Sequence, residues 1–415
     1  MNTSGDHTPV RKKALFKGKN VLLGVTGGIA AYKITYLVRL LIQDGADVKV
    51  IMTPAAKDFV TPLSLATLSR NEVITSFVKG EEQGYAWNNH VDLGRWADLM
   101  IVAPATANTL SKMAHGTADN FLLATYLSTE CPVYVAPAMD LDMYQHPSTS
   151  ENLEKLKSHG VEVIPAESGE LASGLHGAGR LPEPEAIFEF VETSQRRSLP
   201  LYGKKIMITA GPTHEPIDPV RYIGNRSSGK MGYQLADAAR RLGAEVTLIS
   251  GPTSLDNPHP SINLVGVESA NEMLKASLKA YPQMDVVIAA AAVADYRPKT
   301  TATQKIKKSE GHLVIELEPN PDILATLGQQ KSHQKLVGFA LETENELENA
   351  RGKLKRKNLD FIVLNSLNDK GAGFQQETNK VSLVFPDGRV QESELKSKLE
   401  VARDILMEVK KLFDA

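Results

Sequence analysis

The hydrophobic pattern near the start of the chain predicts a strand, a glycine-bearing loop, a helix and a second strand. The apolar run Val21–Val25 is typical of a buried strand, and Ala30–Ile42 has the spacing of an amphipathic helix. The second strand is predicted over Asp47–Met52. Gly45 follows the helix, where the left-handed conformation of a helix end favours glycine.

The same pattern returns in the second half of the chain. A strand over Lys205–Ala210 is followed by a loop, a helix over Gly229–Leu242 and a strand over Glu245–Ser250. Further buried strands are predicted at Leu99–Ala103, Val133–Ala136, Val286–Ala290, Leu336–Ala340 and Phe361–Asn365. Because these strands alternate with helical segments, we predict an α/β protein with parallel sheets covered by helices on both faces.

Length and pattern together predict two domains. A chain of 415 residues exceeds the usual size of one hydrophobic core. We expect a polar tail over 1–19, a first domain over 20–191, a linker over 192–202 and a second domain over 203–415. The helix predicted over Pro184–Val191 would close the first domain.

Composition narrows the class of protein. With 47 Lys and Arg against 49 Asp and Glu, the chain has no basic surplus that would indicate nucleic acid or membrane binding. No apolar run is long enough to span a bilayer, and no secretion signal is recognised. The single cysteine, Cys131, excludes a disulfide framework and a cysteine-based zinc site. We therefore expect a cytoplasmic enzyme that acts on small molecules.

Candidate chemistry in the first half lies at the predicted strand ends. Ligands of open α/β sheets bind beyond the carboxyl ends of the strands. Gly27 and Gly28 precede a helix, whose free N–H groups favour a phosphate, although an ordinary tight turn is an equal alternative. Thr53, Thr106 and Asn108 add hydroxyl and amide groups after two further strands.

Five segments in this half, GVTGGIAAYK, HVDL, PATANT, KMAHGTADN and PAMDLDMY, resemble the homo-oligomeric flavin-containing cysteine decarboxylases, in the order of that family. The resemblance implies a flavodoxin-like domain that binds FMN, in a pocket completed between the subunits of a trimer. It implies that His90 is the active-site base. It also implies that Asp140 and Met143 contact the carboxylate of a cysteinyl substrate, although the family usually has asparagine where this chain has Asp140.

The stretch ELASGLHGAGRLPEP, over 170–184, corresponds to the flap of these decarboxylases. We expect its glycines to provide hinge freedom and Arg180 to steady the flap or an anionic substrate. The related enzymes commonly have cysteine where this chain has Ser173, and that cysteine is the proposed acid of the final reduction. We therefore expect Ser173, with water or His176, to relay the proton.

The second half also carries polar residues after its predicted strands. Asn225 and the serines that follow it precede a helix and offer donors for a phosphate or an oxyanion, or simply an N-cap. Lys353 and Lys357 are four residues apart, so they share one helical face suited to a polyphosphate, unless that face is merely solvated.

The segments NRSSGKMG, AAAVADYRP, KIKK, NPDI, GFALET and KRKN resemble phosphopantothenate–cysteine ligase, with a Rossmann-like fold that dimerises. The resemblance implies that a 4′-phosphopantothenate carboxylate attacks the α-phosphate of CTP, and that cysteine then displaces CMP from the acyl cytidylate. Asn225 would hold the acyl cytidylate, and Lys305 would offset charge at the reacting phosphate. Mg²⁺ is expected with the triphosphate, without assignable ligands. The nucleotide contacts implied are Ala289, Ala290, Ala291, Asp295, Lys305, Asn320, Pro321, Asp322, Ile323, Phe339, Lys353 and Lys357.

Both resemblances on one chain imply the bifunctional enzymes of coenzyme A biosynthesis, with the decarboxylase first and the ligase second. A trimerising half joined to a dimerising half suggests a closed homo-oligomer such as a dodecamer. The main alternative is a flavin-binding regulatory module fused to an active ligase, which the presence of His90 disfavours. A dehydrogenase is disfavoured because G-x-G-x-x-G followed by an acidic residue is missing from the sequence.

Overall fold

The computed structural model describes residues 15–78, 87–308, 312–342, 345–366 and 378–414. Most of the predicted tail lies outside these ranges. The chain forms two compact units that divide between Gln195 and Arg196. This boundary falls inside the stretch predicted as a linker, and it also lies within a helix that runs from Pro184 to Arg197 and so continues past Val191.

The first unit is built on a parallel sheet of six strands in the order β3-β2-β1-β4-β5-β6. A separate antiparallel hairpin, β7–β8, follows it in sequence. The strands are β1 Asn20–Val25, β2 Asp47–Met52, β3 Val73–Ile74, β4 Leu99–Ala105, β5 Val133–Pro137, β6 Glu162–Val163, β7 Glu167–Glu170 and β8 His176–Arg180.

Helices cover this sheet, and the first of them differs from the prediction at its start. Residues Ile29–Lys33 form a 3₁₀ turn that continues as α1. The α-helices are α1 Ile34–Gln43, α2 Pro62–Ser69, α3 His90–Trp96, α4 Ala107–His115, α5 Phe121–Leu127, α6 Leu141–Gln145, α7 Pro147–Ser158 and α8 Pro184–Arg197.

The second unit contains a sheet of eight strands in the order β13-β12-β9-β14-β17-β18-β20-β21. Six strands of this sheet are parallel, namely β13, β12, β9, β14, β17 and β18. Strands β20 and β21 pair antiparallel at one edge. The strands are β9 Lys205–Ala210, β10 His214–Pro216, β11 Tyr222–Gly224, β12 Glu245–Ser250, β13 Asn263–Gly266, β14 Val286–Ala289, β15 Tyr296–Pro298, β16 Leu317–Pro319, β17 Lys335–Glu342, β18 Phe361–Ser366, β19 Thr378–Asn379, β20 Val381–Val384, β21 Val390–Glu392 and β22 Lys396–Ser397.

The helices of this unit alternate with the parallel strands, and the short pairs β10–β11, β15–β16 and β19–β22 stand apart from the main sheet. The helices are α9 Lys230–Arg241, α10 Ala270–Ala280, α11 Ile323–Gln329, α12 Glu346–Arg356 and α13 Lys398–Lys411. The predicted α/β class, a flavodoxin-like unit followed by a Rossmann-like unit, is confirmed.

The central strands are apolar along nearly their whole length because helices bury both faces of each sheet. All seven residues of β4 are buried, and so are five of the six residues of β1. Each sheet reverses its strand order once, between β1 and β4 in the first unit and between β9 and β14 in the second. Such reversals leave a crevice at the carboxyl edge of the sheet, where ligands bind.

Candidate functional site

A cavity of about 970 Å³ lies at the strand-order reversal of the first unit. The loops that follow β1, β2, β4 and β5 contribute to its wall, together with part of the β7–β8 hairpin. Its lining residues are Gly27, Gly28, Ile29, Ala30, Tyr32, Lys33, Thr53, Pro54, Ala55, Thr106, Ala107, Asn108, Thr109, Lys112, Asp119, Asn120, Ala138, Met139, Asp140, Met143, Glu170, Leu171, Ala172, Gly179, Arg180 and Leu181.

The buried Thr26 joins the loops on either side of the reversal. Its Oγ1 donates to the carbonyl of Pro104 at 2.6 Å and accepts from the N–H of Thr106 at 3.1 Å. Thr106 in turn caps α4, because its Oγ1 accepts from the N–H of Thr109. The two loops that bound the crevice are therefore held in a fixed position relative to each other.

The loop after β1 also packs tightly against the loop after β2. A Cβ added to Gly27 would lie 2.6 Å from the Cβ of Ala55, whereas one added to Gly28 would meet only Thr106, at 3.7 Å. Gly27 is therefore required by the close approach of two backbones. Small residues and hydroxyl groups dominate this side of the cavity, which fits a planar ligand that carries a phosphate.

The structure brings the predicted cofactor residues and the predicted substrate residues to one cavity. Of the second group, Asp140 caps the short helix α6 and accepts from the N–H of Leu141 at 2.7 Å, while Met143 is half exposed. Arg180 ends strand β8 and faces the same cavity.

Two residues predicted to be catalytic are not among those that line this cavity. His90 begins α3, and its ring lies 5.9–6.5 Å from the ring centroids of Phe77, Trp87 and Phe121. Its Nδ1 is buried and has no hydrogen-bond partner within the described ranges. Ser173 lies in the exposed turn of the hairpin, where its Oγ accepts from the N–H of Leu175 at 3.4 Å. A cavity within a single chain therefore does not contain the complete predicted set.

The segment predicted as a glycine-hinged flap is an antiparallel hairpin. Gly174 has a positive φ of 84° and belongs to the turn, as a loop residue would. Gly177 and Gly179 instead belong to β8, where an added Cβ would lie 2.6 Å from Leu141 Cδ1 and 2.4 Å from the Met139 carbonyl oxygen, respectively. The Gly179 carbonyl also accepts from the N–H of Met139. These two glycines allow β8 to pack closely against Leu141 and Met139, and hinge freedom in this segment stays a prediction.

A charged network that the sequence did not reveal closes one side of this cavity. Glu183 accepts from Lys33 Nζ and from Arg180 Nη2, each at 2.8 Å, and Lys33 also donates to the Leu181 carbonyl at 3.2 Å. The hydrogen bond from Lys33 lowers the pKa of Glu183. Only the spacing Arg180-x-x-Glu183 hinted at part of this network, since Lys33 is distant in sequence.

A second cavity, of about 670 Å³, lies at the strand-order reversal of the second unit. It is bounded by the start of α9, by the residues that follow β14 and by residues in the second half of β17. Among its lining residues are the predicted Asn225, Ala289, Ala290, Ala291, Asp295, Asn320, Pro321, Asp322, Ile323, Phe339, Lys353 and Lys357. It is also lined by Lys230, Asn365, Asn379 and Lys398, which were not predicted.

Two glycines let helix α9 approach the sheet at this cavity. Gly229 has a φ of 75°, and a Cβ on Gly232 would lie 2.5 Å from the Cβ of Ala210. The preceding loop is tied across the reversal by Asn225, whose Nδ2 donates to the carbonyls of Ala292 and Val293. The start of α9 and the segment after β14 thus form one bounded wall.

Asn320 and Asp322, which also line this cavity, are held by hydrogen bonds. The Asn320 side chain donates to the Ala294 carbonyl at 2.8 Å, and Asp322 caps α11. Lys357 donates to Asp322 at 2.9 Å. Burial opposes ionisation of Asp322, but the hydrogen bonds from Lys357 and from the Ala325 N–H outweigh it, so the pKa of this carboxyl is lowered. Lys357 therefore already has a carboxylate partner.

Lys305 is the one predicted nucleotide residue that does not line this cavity. It is exposed, because the next residue is held elsewhere: Ile306 donates its N–H to Asp218 at 3.1 Å and accepts from Arg221 at 2.9 Å. The Arg221 guanidinium lowers the pKa of the buried Asp218 far below its ordinary value. The segment around Lys305 is thus anchored away from the nucleotide wall.

The described ranges contain no group of three or more His, Cys, Asp and Glu side chains that could hold a metal ion. None of the helices within those same ranges is both long enough and apolar enough to cross a membrane.

Comparison with known proteins divides the chain in the same way. Residues 10–196 match the family described as Flavoprotein, and residues 201–413 match the family described as DNA/pantothenate metabolism flavoprotein C-terminal domain.

Full-length relatives match both units. The coenzyme A biosynthesis bifunctional protein CoaBC of Bacillus subtilis (strain 168) is 49% identical over 95% of this chain and 97% of its own length. A cysteine/cysteine sulfinic acid decarboxylase from an unknown prokaryotic organism is 54% identical over 84% of this chain and 98% of its own length. Among solved structures, the C-terminal domain of a CoaBC protein is 48% identical, covers 52% of this chain and 99% of its own, and has a TM-score of 0.45.

Proposed function

The chain belongs to the family of CoaBC bifunctional coenzyme A biosynthesis proteins, and on that premise we propose that it carries out two successive reactions. The second unit would join 4′-phosphopantothenate to cysteine at the expense of CTP, with Mg²⁺. The first unit would decarboxylate the resulting cysteinyl compound with FMN and yield 4′-phosphopantetheine and CO₂. The observation that best supports this proposal is that each unit has its own cavity at the strand-order reversal of its own sheet.

In the first unit, Gly27, Gly28, Thr53, Thr106 and Asn108 would hold the FMN. When bound, the flavin supplies the oxidation that makes the substrate carboxylate able to leave as CO₂, and the reduction that follows. The fixed loops around Thr26 would orient the cofactor before the substrate arrives, because the hydrogen bonds that join them involve no ligand.

The cysteinyl substrate would lie between that cofactor and the hairpin. Arg180 and Lys33 supply positive charge on this wall, which suits a carboxylate or a phosphate. His90 would act as the base, reaching a cavity wall of a neighbouring subunit in a trimer. Its buried Nδ1, which has no partner among the described residues, is consistent with a group that completes its hydrogen bonding only in an assembled site.

The proton for the final reduction would be relayed by Ser173, with water or His176, from the turn of the hairpin. A hydroxyl is a weaker acid than a thiol, so a relay suits Ser173 better than the role of final acid. If a Ser173→Ala variant forms 4′-phosphopantetheine at the wild-type rate, Ser173 has no part in the reaction.

In the second unit, Asn225 would position the acyl cytidylate at the start of α9. Backbone groups of Ala289–Ala291 would approach the nucleotide closely because these residues are small. Asp295 and the segment Asn320–Ile323 would contact the base and ribose, and Lys353 would face the phosphates. Lys305 could offset charge at the reacting phosphate only if its segment moved away from Asp218, or if it reached the cavity of another subunit.

The decisive experiment supplies the purified protein with 4′-phosphopantothenate, cysteine, CTP and Mg²⁺. We expect CMP, pyrophosphate and 4′-phosphopantetheine, and a His90→Asn variant should stop at the cysteinyl intermediate with its ligase rate unchanged. Formation of the intermediate alone by the wild-type protein would support the regulatory-module alternative for the first unit.

A second candidate substrate comes from the relative named as a cysteine/cysteine sulfinic acid decarboxylase. We would therefore assay CO₂ release from free cysteine and cysteine sulfinic acid in parallel. Faster release from either compound than from 4′-phospho-N-pantothenoylcysteine would replace the decarboxylase half of the proposal.

A further inference from the structure

The segment that carries Lys305 has no secondary structure of its own. Residues 301–308 follow strand β15, and the structure describes all of them outside any helix or strand. We call this segment the lysine strap, because it contains Lys305, Lys307 and Lys308, all of them exposed. An irregular surface segment keeps one position only if other parts of the molecule hold it there.

The beginning of the lysine strap is held by the strand β10 and the turn that follows it. The N–H of Ala302 donates to the Ile217 carbonyl at 3.0 Å. The Thr301 hydroxyl adds a hydrogen bond to the Pro216 carbonyl at 3.1 Å. These two hydrogen bonds fix the strap three and four residues before Lys305.

Asp218 holds the strap a second time, directly beside Lys305. Its Oδ2 accepts from the N–H of Ile306 at 3.1 Å and from the Arg221 guanidinium. Arg221 Nη2 also donates to the Ile306 carbonyl at 2.9 Å, so both backbone polar groups of Ile306 are engaged. Because Ile306 follows Lys305 in the chain, these contacts determine the position from which the lysine side chain extends.

The other carboxylate oxygen of Asp218 stabilises the turn between β10 and β11. Oδ1 accepts from the N–H of Val220 at 2.8 Å and from the N–H of Arg221 at 2.9 Å. Asp218 is only 2% exposed, so water does not replace these partners. Releasing the strap would leave a buried carboxylate oxygen short of a hydrogen bond, which is costly. We therefore expect the strap to stay on this turn during the reaction.

We propose that Asp218 is the positioning residue of Lys305 in the ligase reaction. From its anchored segment Lys305 does not line the cavity of its own chain, so it would offset charge at the reacting phosphate in another copy. Anchoring helps because a lysine on a fixed segment loses less conformational freedom when it meets the phosphate. Asp218 itself contacts no substrate and acts only through the strap. This inference rests on the proposed ligase function.

Asparagine at position 218 would separate the two tasks of the side chain. The amide keeps one oxygen, which can still accept from the N–H groups of Val220 and Arg221, as asparagine commonly does in turns. Its NH₂ group replaces the oxygen that accepts from Ile306 and the Arg221 guanidinium, and a donor cannot take that place. Asp218→Asn should therefore keep the β10–β11 turn and release the strap.

The test measures CMP release by the full-length protein with 4′-phosphopantothenate, cysteine, CTP and Mg²⁺. We expect Asp218→Asn to lower the ligase kcat/KM by about ten- to hundredfold, which is the size of loss that misplacing a reacting group produces. CO₂ release from 4′-phospho-N-pantothenoylcysteine should stay at the wild-type rate. Amide hydrogen exchange should become faster in the strap and stay unchanged in β9 and β12.

A double-mutant cycle distinguishes positioning from a purely structural role. In a Lys305→Gln background the strap no longer carries the charge that Asp218 positions. Adding Asp218→Asn to that background should therefore cause no further loss of kcat/KM. A structural defect, or a role exerted through Arg221 alone, would lower kcat/KM further in that background and would overturn the proposal.

Asp237→Asn is the matched control. Asp237 also pairs with two arginines, Arg240 and Arg241, but it lies in α9 and does not line the cavity. This variant should keep the wild-type ligase rate. A loss as large as that of Asp218→Asn would mean that any lost ion pair in this unit lowers the rate, and the proposal would be wrong.

If Asp218→Asn does not fold, Thr301→Val decides. Thr301 is exposed and contributes one hydrogen bond to the anchoring of the strap, so its replacement spares the core. We expect a smaller loss of ligase kcat/KM that again disappears in the Lys305→Gln background. A loss that persists there would count against positioning.

An unchanged or higher ligase rate in Asp218→Asn would overturn the proposal, whether or not exchange in the strap becomes faster. The same holds if Lys305→Gln alone leaves the rate unchanged. Failure of the proposed function would look different, because the wild-type protein itself would then release no CMP from these substrates.

Discussion

Gly27 and Gly28 are adjacent, but only Gly27 lacks room for a side chain. The carbonyl carbon and oxygen of Ala55 also lie within 2.9 Å of the Cβ that Gly27→Ala would add, so one of the two loops would have to move. We expect this variant to lose about 1–3 kcal/mol of stability and to bind FMN less tightly. Gly28→Ala is the control for stability only, because Gly28 has an extended backbone (φ −172°) and open space beside it but itself lines the cavity.

Thermal unfolding of the apoprotein and fluorescence titration with FMN would measure both effects. If Gly28→Ala lowers the thermal stability of the apoprotein as much as Gly27→Ala does, the close approach of Gly27 to Ala55 is not what the loop requires.

Asp140 is, with Ser173, one of two residues at which this chain departs from the decarboxylases that it resembles. Its structural task is to cap α6, which asparagine performs equally well. A carboxylate near the substrate carboxylate is repulsive, whereas an amide is not. We therefore expect Asp140→Asn to lower the KM of decarboxylation several-fold with little change in thermal stability.

Asp142→Asn is the matched control, since Asp142 lies in the first turn of the same helix and does not line the cavity. Steady-state CO₂ release measures the KM. An unchanged or increased KM for Asp140→Asn would mean that Asp140 does not face the carboxylate.

At the scale of elements, the sequence predicted the central parallel strands well and the small antiparallel pieces poorly. Long apolar runs such as Val21–Val25 can only be buried, so their pattern is sufficient. Strands β7 and β8 read ESGE and HGAGR, with little β-propensity, and are stabilised by pairing with each other and by packing on Met139 and Leu141. That packing depends on the tertiary structure, so β7 and β8 could not be predicted from the local sequence pattern.

The residues of the candidate sites were likewise predictable only where their position does not depend on tertiary packing. Residues in the loops that follow parallel strands, such as Thr106 after β4 and Asp295 after β14, could be predicted because the fold puts all parallel strand ends at one edge. Lys33 and Lys398 could not, because each reaches its cavity from a helix or turn whose position depends on packing.

The hairpin β7–β8 is linked to the cofactor loop through Glu183. Removing the negative charge with Glu183→Gln should weaken its contacts to both Lys33 and Arg180. We expect faster amide hydrogen exchange in β7 and β8 and a higher KM for decarboxylation, with the ligase rate unchanged. Glu189→Gln, on the exposed side of α8, is the control.

The stabilisation that Glu183 provides through Lys33 and Arg180 should depend on pH, and it should decrease in acid. Because the pKa of Glu183 is lower in the folded protein, its stabilisation is complete above the unfolded carboxyl pKa of about 4.3 and is lost as the pH falls through the folded value. The difference in exchange between wild type and Glu183→Gln should therefore vanish in acid. A difference that persists in acid would exclude the ion pairs as its cause.

At the scale of the whole molecule, the two units have separate hydrophobic cores. The buried clusters of the first unit end at Val191, and those of the second begin at Leu201. No cluster of the described residues contains members from both units. Separate cores of this size are the property that lets domains fold alone.

We therefore expect chains ending at Arg197 and beginning at Ser198 each to fold, with one cooperative thermal transition apiece. The first should release CO₂ from 4′-phospho-N-pantothenoylcysteine with FMN, and the second should form that compound from 4′-phosphopantothenate, cysteine and CTP. A mixture should make 4′-phosphopantetheine after a lag, because the intermediate must leave one protein and bind the other.

Analytical ultracentrifugation should find a trimer for the first chain and a dimer for the second. The intact chain must then satisfy both symmetries at once in a closed assembly such as a dodecamer. A monomeric first chain that still releases CO₂ would contradict the placement of His90 across a subunit boundary, since its site would then be complete within one chain.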